Sequence, residues 1–400
     1  MIPVLKLNSA HMLGLAAVGV GLGGWLKRRI PLLDRWDIPV PVAGGMVFAL
    51  LALALRDRVV NIEADTLLRD LLTTAFMTTI GLSARLRLLA NGGRQVVWLL
   101  TVSSAAAVMQ NVLGIGMARL FGLDARLGIL AGSVALAGGP VTAAAFGGTF
   151  EKSGVAGATS AAMASAIFGI AVAGMIAGRI GGGLIRRRKL GGTGASGGGR
   201  SDRRSTGPPL AASLPYNLLP TVLVIAAAVG AGQVLSQWIQ DRGILLPAYI
   251  GAMIVAAVIG NVNDRLGWIE ISQPALEAVG RVALYLFITM ALITLRLWEL
   301  AHLALPLLAI LAAQVAMCWA MCVVISFRLP WRRDYENAVT SAGFCGYMLG
   351  ITANAMASME ELVEKYGAAP ESFLAVPVVG AFLIDFTNSA IITAMANWLR

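Results

Sequence analysis

The sequence contains little of what soluble enzymes and metal-binding domains use. Only 13% of its 400 residues are charged, about half the share in a typical soluble domain. The two histidines, His11 and His302, lie far apart in the sequence and do not indicate a metal site. The three cysteines, Cys318, Cys322 and Cys345, have neither metal-ligand nor disulfide spacing, and we interpret them as small residues buried in apolar segments.

Long apolar runs dominate the sequence instead. Hydrophobic residues make up 58% of the chain, and a helix needs roughly 20 mainly apolar residues to cross a bilayer. Twelve stretches are candidate membrane segments: residues 8–26, 38–55, 66–84, 96–120, 127–150, 155–178, 217–238, 244–260, 275–295, 303–327, 337–358 and 372–398. We therefore predict an all-α polytopic membrane protein.

Two motifs resemble nucleotide-binding sequences. Gly19, Gly21 and Gly24 spell GxGxxG, but they lie inside an apolar stretch with no preceding strand, which favours close helix packing. The run Gly194–Ser201, GASGGGRS, resembles a phosphate-binding loop, but no flanking strand and helix are predicted. Neither motif supports a dinucleotide site or ATP-driven transport.

Basic residues divide the chain and orient it. The net charge of +10 is concentrated in loops beside the apolar stretches, so it indicates membrane orientation and not nucleic-acid binding. Residues 179–216, which include RRRKLGGTGASGGGRSDRRSTGPP, form a basic Gly/Ser-rich segment that we predict to be a flexible cytoplasmic linker. It separates an N-terminal membrane repeat, residues 1–178, from a C-terminal one, residues 217–400.

The basic loops also limit how often each half crosses the membrane. Six full crossings per half would place Lys27–Arg29 and Arg85 outside, whereas five crossings and one re-entrant segment return them to the cytoplasm and leave both termini outside. The candidates for re-entry are 127–150 and 337–358, which are rich in small residues and are expected to break at AGGPVT and GYMLGITAN.

The two halves also resemble each other. FMTTIGLSARLRLL at Phe76–Leu89 matches FITMALITLRLWEL at Phe287–Leu300, and the aligned pairs are Arg85 with Arg296, Asp124 with Asp334 and Thr142 with Thr352. An odd number of crossings makes the second repeat inverted. Inverted repeats of about five helices plus one broken segment are typical of secondary transporters.

Several motifs resemble those of the bacterial sodium/glutamate symporter family: IPVPVAGG at Ile38–Gly45, TIGL at Thr79–Leu82, MQNVLGIGMA at Met109–Ala118, LRLWELAHLALPLLAIL at Leu295–Leu311 and VPVVGAFLIDFTN at Val376–Asn388. The resemblance implies inverted repeats with re-entrant segments, a homodimer in the bacterial inner membrane, and sodium-coupled glutamate transport by movement of one domain past another. In the two broken segments the family's histidines are replaced by Pro140 and Phe344. These changes are expected to alter which anion fits.

Asp385 lies inside an apolar stretch, where an ionised carboxylate costs at least about 2.5 kcal/mol without a partner. Asn388 follows on the same helical face, and together they are candidate sodium ligands with backbone carbonyls of the broken segments. We interpret Asp385 as a residue that couples transport to sodium or protons; the alternative is a structural salt bridge or capping of a broken segment. The candidate substrate-binding residues lie at the two breaks: Gly138, Gly139, Thr142, Gly350, Thr352 and Asn354.

Other polar residues favour structural roles. Gln110 and Asn111 are expected to brace neighbouring segments, and Arg85 and Arg296 to mark membrane interfaces. Transport of another organic anion, with proton coupling or none, is the alternative function, together with a passive channel or exporter. An intramembrane enzyme is less favoured, because Asp385 has no evident partner acid in another apolar stretch.

Overall fold

The computed structural model describes residues 3–35, 38–85, 93–188, 190, 218–300, 302–328 and 335–399. Its helices are, in order, α1 Ser9–Arg29, α2 Pro31–Arg35, α3 Val40–Leu55, α4 Leu67–Ser83, α5 Gly93–Leu120, α6 Ala125–Ile129, α7 Gly139–Lys152, α8 Ala158–Arg188, α9 Leu218–Gln240, α10 Tyr249–Leu266, α11 Gln273–Ile293, α12 Ala304–Arg328, α13 Tyr335–Leu349, α14 Thr352–Tyr366, α15 Pro370–Val378 and α16 Ile384–Trp398. Two π-helical turns, Leu130–Val134 and Val379–Leu383, follow α6 and α15, and a 3-10 helix, Leu297–Leu300, precedes α12.

These bounds confirm the polytopic all-α class. Within the described residues, seven helices are long and apolar enough to cross a membrane by length and composition, when α15, the turn after it and α16 are counted as one helix, Pro370–Trp398. One difference is that α8 continues past residue 178 to Arg188. The buried residues Ile180, Leu184 and Ile185 continue its apolar stripe through a run of glycines. Residues 189 and 191–216 of the predicted linker, and the aligned Asp334, lie outside the described residues.

A small parallel sheet was not predicted. The strands β1 Val4–Leu7 and β2 Asn61–Ala64 pair in parallel, with Val4 opposite Asn61. Four residues per strand are too few to give a recognisable alternating pattern. The Ser9 hydroxyl donates to the Asp65 carboxylate beside this sheet. The sheet therefore joins the start of α1 to the segment that leads into α4.

The helices form two groups. The first helix group consists of α1, α3, α4, α9, α10 and α11, in which α1 packs on α3, α3 on α11, α11 on α4, α4 on α10 and α10 on α9. Glycines allow the closest crossings: a Cβ at Gly44 would lie 1.8 Å from the Gly19 carbonyl oxygen, and one at Gly251 would lie 2.2 Å from that of Gly232. The helix-packing interpretation is thus confirmed for Gly19, but a Cβ on Gly21 would meet nothing within 4 Å, so it is wrong for Gly21.

The second helix group consists of α5–α8 and α12–α16. Here α5 packs on α6 and α16, α8 packs on α7 and α13, and α13 packs on α12 and α14. Its interior holds the largest buried rings, including Phe146, Phe150, Phe344 and Tyr347. The groups meet where α7 contacts α11 and where the turn Val379–Leu383 contacts α4.

Candidate functional site

A cavity of about 670 Å³ lies between the two helix groups. The first group contributes the start of α3, the second half of α4 and much of α11, and the second group contributes both helix breaks, the turn Val379–Leu383 and Asp385. Gln273, Glu277 and Arg281 line the cavity and have exposed side chains. The cavity therefore reaches the surface at the end where α11 begins.

The first break separates the turn Leu130–Val134 from α7. Gly132 has φ −98° and ψ −129°, which are non-helical values, and Gly139 has a φ of +65°, which favours glycine. Gly138 and Pro140 line the cavity, whereas Thr142 is buried beneath them. A Cβ at Gly138 would lie 2.5 Å from the Cβ of Thr142, so only glycine fits there without rearrangement.

The second break lies at Gly350 and Ile351, between α13 and α14. Gly350 and Thr352 line the cavity, and the Thr352 hydroxyl donates to the Gly380 carbonyl oxygen at 2.7 Å. Asn354 is buried, and its amide nitrogen donates to a carbonyl oxygen of α8 at 3.1 Å. Asn354 therefore braces the break and does not line the cavity.

The two breaks meet each other. A Cβ on Gly139 would lie 3.3 Å from Cγ2 of Ile351 and 3.9 Å from the Gly350 carbonyl oxygen. Because Pro140 and Thr352 both line the cavity, the N-termini of α7 and α14 reach the same space. The first N–H groups of a helix have no intrahelical partner and carry a partial positive charge. This end of the cavity can therefore hold an anion.

Asp385 is half-buried in the first turn of α16 and lines the same cavity. The π-helical turn Val379–Leu383 interrupts the α-helical hydrogen bonding between α15 and α16. Such turns occur frequently at functional sites. Among the described residues, Asp385 has no hydrogen bond or salt bridge. The carboxylate consequently faces the cavity without a protein partner.

Asn388 lies deeper than Asp385. It is 1% exposed, and its amide nitrogen donates to the Ser133 carbonyl oxygen at 2.9 Å. The amide oxygen of Asn388 and the hydroxyl of Ser133 are both buried without a hydrogen-bond partner. Buried polar atoms normally have a hydrogen-bond partner. These two oxygens lack one and can therefore coordinate a cation. Ser133 was not predicted, because nothing in the sequence pairs it with α16.

The predicted bracing by Gln110 and Asn111 is confirmed. The Gln110 amide nitrogen donates to the Met348 carbonyl oxygen at 2.8 Å, and the Asn111 amide oxygen accepts from the Ser133 N–H at 3.0 Å. Each broken segment is therefore held by α5.

Arg85, the residue aligned with Arg296, pairs with Asp264 of α10 at 3.0 Å. Arg296 pairs with Glu299 at 3.3 Å.

A second cavity, of about 640 Å³, lies at the opposite ends of the same helices. It is lined by the end of α3, the start of α4 and residues that follow α11, including Arg56, Arg69, Arg296 and Trp298. The Arg56 guanidinium stacks on the Trp298 ring at 3.7 Å. The two cavities share no lining residue within the described chain, so the described helices separate them.

An all-α membrane protein whose broken helices meet at a cavity between two helix groups has the architecture of a secondary transporter. The sequence profile of the family described as sodium/glutamate symporter matches residues 5–368. The sodium/glutamate symporter of Escherichia coli K12 is 36% identical in an alignment of 399 positions that covers 97% of each chain. That of Haemophilus influenzae is 33% identical in an alignment of 398 positions that covers 96% of each chain.

The chain therefore belongs to the sodium/glutamate symporter family, a family of transporters and not of enzymes. The resemblance noted from its motifs is confirmed. A solved structure of a sodium proton antiporter from Methanocaldococcus jannaschii covers 97% of both chains at 13% identity and a TM-score of 0.45, too low a similarity to bear on this fold or function.

Proposed function

We propose that this protein is a secondary active transporter that carries glutamate, or a closely related small anion, together with sodium across a bacterial inner membrane. The observation that carries the proposal is the meeting, at one cavity, of two helix N-termini and an unpaired carboxylate. Family membership agrees with it, because two relatives are named sodium/glutamate symporters.

In this proposal the substrate's carboxylates bind at the N-termini of α7 and α14. Gly138 and Gly350 line the cavity and keep the backbone accessible, and Thr352 lines the same edge. Gly139 does not line the cavity, and its φ of +65° shapes the first break. Thr142 and Asn354 act from beneath, by holding the two breaks in shape. Of the replaced histidine positions, Pro140 lines the cavity, whereas Phe344 is fully buried against the Tyr347 ring. Only Pro140 can therefore change the shape of the substrate site directly.

Sodium would bind beside the substrate, between α16 and the first break. Asp385 would supply the negative charge, and the unpaired oxygens of Asn388 and Ser133 would supply neutral ligands along with backbone carbonyls of the breaks. Hard cations prefer oxygen donors of this kind. The residues present fit a sodium ion, because two buried oxygens there lack any hydrogen-bond donor.

Transport would proceed by movement of the second helix group past the first. The cavity lies along the boundary between the groups, and a separate cavity lies at its opposite end. Similar contacts in the two halves support inverted repeats: α1 packs on α3 as α9 packs on α10, and α4 packs on α10 as α11 packs on α3.

The orientation follows from the basic residues. The end of α1 that carries Lys27–Arg29 would lie in the cytoplasm with the linker, and both termini would lie outside. Lys27 lines the larger cavity, so the structure would represent a state open to the cytoplasm. A homodimer, which the family resemblance implies, is also part of the proposal; chemical cross-linking in native membranes tests it.

A passive channel is the main alternative. It needs a continuous path, whereas the two cavities of the described chain share no lining residue. Transport of another anion, or coupling to protons, would use the same cavity and is distinguished only by measurement.

The test is uptake of labelled glutamate into proteoliposomes with an inward sodium gradient. We expect saturable accumulation that stops when an ionophore dissipates the gradient, with unlabelled aspartate and larger dicarboxylates as competitors. Accumulation driven by a proton gradient without sodium would show that the coupling ion is a proton. If the internal glutamate concentration never exceeds the external one, the result would favour a channel. If only another acid accumulates, that acid is the substrate and glutamate is not.

A further inference from the structure

All three cysteines of the chain lie together, although the sequence spacing indicates no site. Cys318 and Cys322 are one helical turn apart on α12, and Cys345 faces them from α13. Their sulfur atoms lie within 4.8 Å of one another, and the three side chains are at most 1% exposed. The convergence of every cysteine of a 400-residue chain at one buried point is the feature to be explained.

We propose that these three thiols form a binding site for a trivalent metalloid of the arsenite class. An arsenic(III) centre with three thiolates is pyramidal, and bonds of about 2.3 Å, close to the length of a zinc–thiolate bond, hold its sulfurs about 3.5 Å apart. The observed separations allow such a centre after an inward shift of less than about 1 Å. Three thiols from two helices provide all its ligands.

Charge selects a metalloid over a metal ion. Arsenous acid condenses with three thiols: each S–H proton and one arsenic-bound hydroxyl leave as water, three As–S bonds form, and no atom is oxidised or reduced. The adduct is neutral. A zinc ion with three thiolates would carry a net negative charge and lack its fourth ligand, and an uncompensated charge is costly in apolar surroundings. Arsenous acid is itself uncharged and small enough to enter through fluctuations of the helices.

The surroundings agree with this selection. Phe344 precedes Cys345, Tyr347 follows it by two residues, and both side chains are buried. The Cys322 thiol donates to the Ser341 carbonyl oxygen at 3.5 Å. Among the described residues, no carboxylate or histidine joins the three thiols in this cluster. The adduct would join α12 to α13 within the second helix group.

The test uses the purified full-length protein in detergent, with sodium arsenite as the probe. After removal of free arsenite, we expect about one arsenic per chain by mass spectrometry of the metal content, arsenic X-ray absorption with three sulfur neighbours, and loss of all three titratable thiols in denaturant. A dithiol competitor should restore the thiols. Zinc chloride at the same concentration should not be retained.

The variants Cys318→Ala, Cys322→Ala and Cys345→Ala should each lower arsenic retention at least tenfold. Asp385→Asn is the matched control and should retain arsenic as the original protein does, so failure of the transport proposal leaves this one untouched. Oxygen neighbours in the absorption spectrum, retention of zinc in preference to arsenic, or less than one arsenic per ten chains would overturn the proposal. The spectrum is recorded on the unmodified protein, so the conclusion does not depend on whether the variants fold.

Discussion

Asp385→Asn separates ion binding from structural support. Asp385 lines the cavity and has no hydrogen bond or salt bridge with a described residue, so the amide leaves no partner charge behind. We expect the free energy of unfolding to change by less than about 1 kcal/mol. Removing one member of a buried ion pair would instead cost about 3 to 5 kcal/mol.

The effect on sodium should be much larger. A full charge about 4 Å from a cation contributes about 4 kcal/mol at an effective dielectric constant of 20, and about 1.4 kcal/mol corresponds to a factor of ten in affinity. Desolvation of the carboxylate offsets part of this energy. We therefore expect the sodium concentration for half-maximal uptake to rise by two to three orders of magnitude, at most about a thousandfold.

The assay is initial glutamate uptake at varied sodium concentration, with thermal unfolding measured on the same preparations. Asp264→Asn is the matched control, because Asp264 pairs with Arg85 at 3.0 Å in the first helix group and does not line the cavity. That pair is partly exposed, so its loss should lower stability by only about 1 kcal/mol and leave sodium dependence unchanged. A stable Asp385→Asn protein with ordinary sodium dependence would refute a role in ion binding, and a strongly destabilised one would indicate structural support.

Three further predictions concern packing, the cavity mouth and topology. Gly128→Ala should lower the unfolding temperature because its Cβ would lie 2.2 Å from a backbone oxygen of α5, whereas Gly116→Ala, with nothing within 4 Å, should not. Arg281→Gln should raise the KM for glutamate severalfold at low ionic strength and reduce its salt dependence, whereas Arg265→Gln, away from the cavity, should not; equal effects would refute electrostatic attraction at the mouth. A cysteine at Ser201 should react with impermeant thiol reagents only from the cytoplasm, and labelling from outside would contradict the proposed orientation.

Apolar length and small-residue content were sufficient to predict most of the fold. The stretch 66–84 corresponds to α4 at Leu67–Ser83, and 303–327 corresponds to α12 at Ala304–Arg328. The helix also ends inside both segments expected to break, at residues 135–138 and 350–351. These features depend on local composition, which a single sequence contains.

The site could be predicted only in part, because its geometry depends on contacts between distant segments. Asp385 was recognisable as a lone acid in an apolar run, but Asn388, the second predicted ligand, is bonded to Ser133, which lies 255 residues earlier. Glu277 and Arg281 at the cavity mouth were missed, since their i,i+4 spacing on α11 resembles that of an ordinary surface pair. The cysteine cluster was missed for the same reason: a turn of α12 explains two thiols, but only tertiary packing adds Cys345.

The contacts of α15 and α16 suggest how ion and substrate binding are coupled. Thr352 of the second break donates to Gly380, and Asn388 donates to Ser133 beside the first break, so the segment that carries Asp385 is bonded to both breaks. A sodium ion held there would therefore favour the arrangement in which the N-termini of α7 and α14 converge on the substrate. Linkage is reciprocal: if sodium raises glutamate affinity by some factor, glutamate must raise sodium affinity by the same factor. Neither site then needs to contact the other's ligand for the two to be carried together.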